Sequence, residues 1–231
     1  MMLCCTRQQY PFSCSTDFHS VREYTHTMAY GPDTDELLRR LADATTKLDV
    51  HGLNITSLPD LPDGLQELTC SKTGITSLPK LPAGLQVLGC SNTLITSLPE
   101  LPVGLKHLYC SATSLTSLPD LPAGLLGLSC SNTRITSLPK LPSGLLGLSC
   151  FTTPLTSLPE LPAGLRSLCC EGAILISIPQ LPAGLQILCS DPKDPHRPCH
   201  ALSIQREEGE TIADYNLRWS KWREEHAMYS L

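Results

Sequence analysis

The 231-residue chain carries 17 lysines and arginines against 22 acidic residues, a formal net charge of −5. This balance provides no basic surface for nucleic acid or an anionic membrane, so we expect neither as a partner. Aromatic residues make up only 5% of the chain, which indicates an aliphatic core. No stretch approaches the roughly 18 apolar residues of a membrane span, and the N-terminus lacks the apolar run of a secretory signal. We therefore expect a soluble chain in a reducing, cytoplasmic compartment.

The first 47 residues divide into two segments. Residues 1–30 show no hydrophobic periodicity and are expected to be unstructured or poorly defined, with lipidation at Cys4-Cys5 as an alternative. A helical cap is predicted over 31–47, where Asp33 or Thr34 can serve as the N-cap and acidic residues follow in the first turn. Its apolar stripe consists of Leu37, Leu38, Leu41, Ala44 and Leu48.

Residues 48–190 contain a 20-residue unit that recurs seven times without a change of spacing. The unit begins with Leu-Pro at Leu58, and the pair returns at Leu78, Leu98, Leu118, Leu138, Leu158 and, as Ile-Pro, at Ile178. A strict period of this length indicates a solenoid of stacked coils.

Each repeat reads as a short strand followed by a turn. In the first copy the pattern is Leu65-x-x-Leu68-x-Cys70-x-x-Thr73-x-Ile75, in which the leucines, Cys70 and Ile75 are expected to point inward. Strand alternation directs the residues between them, such as Glu67, Thr69 and Ser71, outward. The pattern resembles the leucine-rich-repeat frame, in which the position of Thr73 usually holds an asparagine that hydrogen-bonds the adjacent turn. A threonine hydroxyl can satisfy fewer of those backbone groups.

The return limb of each repeat is Leu-Pro-x-Leu-Pro. Proline fixes φ and removes a donor, which excludes a helix and favours extended polyproline geometry. A glycine at a fixed position indicates a backbone angle that other residues resist; it recurs at Gly64, Gly84, Gly104, Gly124, Gly144, Gly164 and Gly184. Residues of mostly alternating charge between the prolines predict a convex ladder that aids register; they are Asp60, Lys80, Glu100, Asp120, Lys140, Glu160 and Gln180.

Six of the twelve cysteines share one inward position of the repeat. A buried free thiol packs as a small hydrophobe, and the parallel orientation of neighbouring coils is poor for a disulfide. We expect a reduced, inert column, with a structural or redox role as the alternative; the cysteines are Cys70, Cys90, Cys110, Cys130, Cys150 and Cys170.

The doubled Leu-Pro within a 20-residue period resembles the LPX subclass of leucine-rich repeats. That subclass is typical of secreted bacterial effectors of the IpaH and YopM type, and similar runs occur in giant-virus proteins. The resemblance implies a leucine-rich-repeat horseshoe with parallel strands on its concave face and helical caps at both ends. It also implies a non-catalytic protein-interaction module inside a eukaryotic host cell. The alternative that it implies is the substrate-recognition component of a ubiquitin-ligase system, without the catalytic domain.

The concave face is the predicted binding surface for a protein partner. Strand alternation places mainly small residues there, so the few larger side chains are candidate anchors, although isolated exposed aromatic residues are also commonplace. The predicted partner-binding residues are Glu67, Val87, His107, Tyr109, Phe151 and Glu171.

The sequence offers only weak candidates for chemistry. Cys189-Ser190-Asp191 matches the Cys-x-Asp nucleophile motif of IpaH-type ubiquitin ligases, but it falls within the last repeat rather than in a separate helical domain. Cys189, His196, Cys199 and His200 have no common zinc-site spacing. We predict no catalytic residue, no metal site, no cofactor and no small-molecule substrate.

Residues 191–231 are predicted to form a proline-broken loop and an amphipathic capping helix. Thr211 and Asp214 can form a capping box. A stripe at helical spacing either covers the last repeat or docks on a partner; it comprises Ile212, Tyr215, Trp219, Trp222 and His226.

Overall fold

The computed structural model describes residues 30–170, 172–173, 175, 179–188 and 214. One helix, α1 (Thr34–Asp43), precedes eight short strands in chain order. The strands are β1 (Lys47–Asp49), β2 (Glu67–Thr69), β3 (Val87–Gly89), β4 (His107–Tyr109), β5 (Gly127–Ser129), β6 (Gly147–Ser149), β7 (Ser167–Cys169) and β8 (Ile187–Leu188).

The strands form one parallel sheet in sequential order, from β1 at one end to β8 at the other. Each residue pairs with the residue 20 positions later, as in Leu48 with Leu68 and Leu68 with Leu88. The register is therefore the repeat period itself, and the predicted solenoid of parallel strands is confirmed. Among the described residues, the Leu-Pro limb that returns to the next strand contains neither helix nor strand.

The core is a set of aliphatic and thiol columns that run the length of the solenoid. Leu65, Leu68, Cys70 and Ile75 are all completely buried, and the equivalent residues of the next four coils are buried as well. Complete burial of a leucine or isoleucine contributes about 1.5–3 kcal/mol. The inward positions predicted from the repeat pattern are thus the core positions of the fold.

The threonine after each strand bonds within its own coil. The Thr73 hydroxyl donates to the Cys70 carbonyl at 2.7 Å, and the same bond of 2.6–2.8 Å recurs in the next four coils. Threonine thus closes the turn that follows the strand, because its hydroxyl reaches a carbonyl three residues back. These five side chains are buried: Thr73, Thr93, Thr113, Thr133 and Thr153.

The prediction that the periodic glycines hold an unusual backbone angle is wrong. None of the seven has a φ in the left-handed region, and a Cβ at Gly84 would lie 3.7 Å from the nearest carbonyl oxygen, an ordinary contact. The left-handed position lies instead at the third residue after each strand, which in five of the coils is the residue just before the threonine. Its occupants are chemically diverse: Gly52 (φ 74°), Lys72 (56°), Asn92 (55°), Ala112 (54°), Asn132 (53°), Thr152 (52°) and Gly172 (67°).

The predicted ladder of charges on the convex side forms no ion pairs. Every one of its members, from Asp60 to Gln180, is exposed, and none of these described residues has an oppositely charged partner within 4.0 Å. Fully hydrated side chains gain little free energy from pairing, and the loss of side-chain entropy cancels that gain. Register is maintained by the backbone ladder and the core columns.

Helix α1 lies against the first strand. Leu37 is completely buried, and Arg40 donates from Nη1 to the Asp49 carbonyl at 2.8 Å, which ties the helix to β1. Asp33 makes no cap bond within the helix; its carboxylate accepts from the Asn54 amide at 2.7 Å. Leu48, predicted as part of the helical stripe, lies in β1. The capping role of this helix, and the cap predicted over 191–231, stay predictions, since the latter lies outside the described residues except for Asp214.

Candidate functional site: the concave sheet

Two columns of side chains project from the strands on the face opposite the core. The parallel register stacks the first residue of each strand on the first residue of the next, and likewise the third. The first column runs Lys47, Glu67, Val87, His107, Gly127, Gly147 and Ser167. The second runs Asp49, Thr69, Gly89, Tyr109, Ser129, Ser149 and Cys169.

At the start of the sheet, the predicted anchor Glu67 is held in an ion pair. Its carboxylate lies 3.0 Å from the Lys47 ammonium, and both side chains are about half exposed, at 46% and 61%. The hydrogen bond from the ammonium raises the pKa of Lys47. Sequence reasoning missed this partner because Lys47 was assigned to the helical segment. The pair neutralises the charge of Glu67, while Asp49 in the second column keeps a carboxylate at this end of the sheet.

The middle of the sheet presents an aromatic pair. The rings of His107 and Tyr109 lie parallel, with an angle of 3° between their planes and 6.1 Å between their centroids. Tyr109 is 44% exposed. Val87, a predicted anchor of the same column, is half-buried beside His107 on the neighbouring strand. The structure therefore brings three of the predicted residues together on β3 and β4.

A shallow floor of glycine and serine follows the aromatic pair. A Cβ added at Gly127 would lie only 2.9 Å from Nδ1 of His107, so the bare backbone of β5 makes room for this ring. At Gly147 an added Cβ meets nothing within 4 Å. A partner can therefore approach the backbone of β6 closely, with His107 and Tyr109 forming a wall on one side.

A column of serine hydroxyls continues the sheet beyond the ends of the strands. The Ser111 hydroxyl accepts from the Ser131 amide at 3.1 Å, and the Ser131 hydroxyl accepts from the Phe151 amide at 3.2 Å. The same bond links Ser71 to Ser91 and Ser91 to Ser111. These serines belong to the small residues expected on the concave face, and their hydrogen bonds hold neighbouring coils together.

Phe151 interrupts the serine column. Its side chain is half-buried, and Ser131, its neighbour in the column, is completely buried. Ser131 also shares a 2.9 Å hydrogen bond with Ser149. Phe151 thus lies beside a closed polar network, two coils from the aromatic pair. The remaining predicted anchor, Glu171, lies outside the described residues.

The buried cysteine column is chemically quiet. Cys70, Cys90, Cys110 and Cys130 are unexposed free thiols. Burial raises the pKa of Cys70 and of Cys130 to about 12 and raises the pKa of Cys110 well above its ordinary value. A thiol that stays protonated at neutral pH is a poor nucleophile. This environment favours the inert interpretation over the redox one.

The part of the chain that the structure describes contains no cluster of three metal-ligating side chains. The candidate ligands Cys189, His196, Cys199 and His200 lie outside it. So does the Cys189-Ser190-Asp191 motif, so the ubiquitin-ligase alternative stays a prediction. Within the same ranges, no helix has the length and apolarity needed to cross a membrane.

Several exposed apolar features were missed by sequence reasoning. Val103 is 87% exposed, Leu94 is 60% exposed and Leu146 is 41% exposed. Each departs from the smaller or more polar residues at the same position of most other repeats, and this departure is the signal that the sequence offers.

A cleft of about 620 Å³ opens among the Leu-Pro limbs between Asp120 and Ala163, on the side opposite the strands.

Comparison with solved structures identifies relatives of the repeat region. A Shigella effector leucine-rich-repeat domain is 29% identical, with a TM-score of 0.62, and the match covers 72% of this chain and 79% of that one. YopM, a leucine-rich effector protein from Yersinia pestis, is 28% identical, with a TM-score of 0.60 and coverage of 70% and 54%. YopM from Yersinia enterocolitica is 27% identical, with a TM-score of 0.48 and coverage of 61% and 40%.

The match spans about half the length of the YopM chains. No protein-family model matches the sequence, and no curated protein sequence matches it. The structural matches and the 20-residue parallel coil agree with the resemblance seen in the repeat pattern. The chain is a leucine-rich-repeat solenoid whose repeats resemble those of YopM and the Shigella effector domain.

Proposed function

We propose that the chain is a non-catalytic module that binds a partner protein in the trough formed by β3–β6. The similarity to effector repeat domains supports the general role, a repeat module for protein interaction. By the same likeness, we infer that the chain acts as an effector inside a eukaryotic host cell.

The observation that carries the proposal is the contrast between the aromatic pair and the floor next to it. Tyr109 and His107 are large parallel rings, and the next two strands carry only glycine and serine at the outward positions. Aromatic side chains that stand beside a smooth surface supply contact area at low entropic cost, and such residues dominate binding energy at interfaces. Tyr109 is 44% exposed, and its hydroxyl adds a polar group that can orient a partner.

The experiment uses the full chain as bait in an extract of eukaryotic cells, with quantitative mass spectrometry of the proteins retained. His107→Ala combined with Tyr109→Ala removes the rings. Gly147→Arg leaves them intact and fills the floor, at a position where the fold has open space for a side chain. The matched control is Val103→Ser, which changes the most exposed of the described apolar side chains outside the trough.

We expect the same proteins to be lost from both trough variants and kept by the control. Removal of a pair of interface hot spots reduces affinity by at least about 100-fold. Thermal unfolding should be unchanged in all three variants, because none of them alters a core position. Equal recovery with wild type, His107→Ala/Tyr109→Ala and Gly147→Arg would show that the trough is not the binding surface.

A further inference from the structure

A third column of side chains, separate from the two columns on the strands, borders the trough at the residue that precedes each strand. The amide of Leu126 donates to the Lys106 carbonyl, that of Leu146 to the Leu126 carbonyl, and that of Arg166 to the Leu146 carbonyl, each at 2.8 Å. These four residues therefore lie on successive coils in one continuous ladder. We call Lys106, Leu126, Leu146 and Arg166 the edge stripe.

The edge stripe combines exposed apolar and basic groups. Leu146 is 41% exposed and Leu126 is half-buried, whereas the same position holds glutamine at Gln66, Gln86 and Gln186. Lys106 and Arg166 are exposed at either end, and in the described part of the chain neither has an acidic partner within 4.0 Å. Two leucines are thus bracketed by two unpaired positive charges.

The dimensions of the edge stripe match one face of an α-helix. Adjacent parallel strands lie about 4.8 Å apart, so three steps separate Lys106 from Arg166 by about 14 Å. A helix rises about 1.5 Å per residue, and residues at i, i+3, i+7 and i+10 share one face over about 15 Å. In an extended strand, the side chains on one face recur about every 6.6–6.8 Å, which does not match the spacing of about 4.8 Å between coils.

The geometry points to a docking site for an amphipathic helix of a partner protein, with acidic residues at i and i+10 and apolar residues at i+3 and i+7. The two leucines contact the apolar positions, while Lys106 and Arg166 pair with the acids and fix the register. The inference rests on the proposed function as a protein-binding module, but it uses a different surface from the trough.

The test uses a designed 16-residue helical peptide with Glu, Leu, Leu and Glu at this spacing and alanine and glutamine elsewhere. Its binding to the full chain is measured by fluorescence anisotropy and by NMR shifts at low salt. We expect saturable binding with shifts confined to β4–β7 and the residues that precede them. Leu146→Asp should weaken it roughly tenfold or more, while His107→Ala/Tyr109→Ala should leave it unchanged, which separates this site from the trough.

A charge exchange tests the predicted register. Lys106→Glu combined with Arg166→Glu should abolish binding of the acidic peptide and restore binding of a peptide with lysines at i and i+10. Absence of saturable binding to wild type up to about 1 mM would overturn the inference. So would equal affinity for Leu146→Asp, or binding of both peptides by the doubly substituted chain.

Two other occupants would also be recognised by these measurements. A concentration-dependent dimer in analytical ultracentrifugation that Leu146→Asp abolishes would assign the edge stripe to a second copy of this chain. Tighter binding of a peptide copied from residues 204–226 than of the designed peptide would assign it to the chain's own C-terminal segment. Either result would overturn the assignment to a partner helix.

Discussion

Replacement of Ser111 by alanine tests whether the serine column holds the coils together. The Ser111 hydroxyl accepts from the Ser131 amide at 3.1 Å and shares a 2.8 Å hydrogen bond with the Ser129 hydroxyl. Ser131 is completely buried, so its amide has no ready access to water when this acceptor is lost. A buried unsatisfied amide costs about 1–3 kcal/mol, and the second hydrogen bond contributes about 0.5–1.5 kcal/mol.

We therefore expect Ser111→Ala to lower the free energy of unfolding by about 2 kcal/mol. For a chain of this size that is a fall of about 4–8 °C in the melting temperature. The substitution removes one oxygen and leaves the apolar core intact, so the whole effect comes from the hydrogen bonds. The matched control is Ser114→Ala, three residues further along the same coil. In the described part of the chain no hydrogen bond to the Ser114 side chain is formed, so the control should change stability by less than about 0.5 kcal/mol.

Urea unfolding followed by circular dichroism measures the global effect. Hydrogen exchange by NMR measures the local one, because the Ser131 amide should exchange faster in Ser111→Ala while amides of β2 keep their protection. If Ser111→Ala were as stable as Ser114→Ala and the Ser131 amide exchanged at the wild-type rate, the hydroxyl column would have no structural role.

Three further predictions concern the backbone and the thiols. Thr152→Asn should stabilise the chain by about 1 kcal/mol and Asn132→Thr should destabilise it similarly, because a β-branched residue is strained at φ near 52°; equal urea midpoints for the two variants would contradict this. Gly84→Ala should keep the melting temperature or raise it slightly, since its φ lies outside the left-handed region; a loss of several degrees would contradict the assigned geometry. Burial raises the pKa of the Cys130 thiol to about 12 from 9.0, so the native state keeps a proton that the unfolded state releases, and this stability is complete below about pH 9 and is lost as pH rises toward 12. Between pH 7 and 11, the free energy of unfolding measured with urea should fall less steeply with pH in Cys130→Ala than in wild type, by up to about 1.4 kcal/mol per pH unit. Equal pH dependence in the two proteins would contradict a neutral buried thiol.

The fold could be predicted because the repeat period fixes both register and burial. Because the 20-residue spacing never changes, only one strand register is possible, in which Leu48 pairs with Leu68. Alternation along the strand then directs Cys70 inward, to the same side as Leu68. The turn geometry was less accessible. A recurring glycine pointed to the wrong position, whereas the left-handed position carries five kinds of residue, Thr152 among them, and shows no sequence pattern. Hydrogen bonds to neighbouring coils, rather than residue preference, hold that angle in place.

The outward columns were predictable, but their pairing was not. Alternation along the strand placed His107 and Tyr109 on one face, yet their parallel rings depend on the bare backbone of Gly127, which belongs to the next coil. The ion pair between Lys47 and Glu67 depends on where α1 ends, and helix ends are the least certain part of a sequence prediction.

The core requires the same residue at a given position of every repeat, whereas recognition of a partner requires residues that differ between repeats. The two functions therefore use different positions of the repeat. Leucine, cysteine and threonine recur at fixed positions because every coil must bury the same columns and close the same turn. A position free of those constraints can vary, so variation alone is uninformative, as the left-handed position demonstrates. Variation becomes informative where a large apolar or aromatic side chain replaces a small or polar one on an exposed face, as at Tyr109 and Leu146. Both departures occur in the central coils, where a partner can contact both neighbouring coils at once. Recognition by this solenoid is therefore expected to involve its middle rather than its ends.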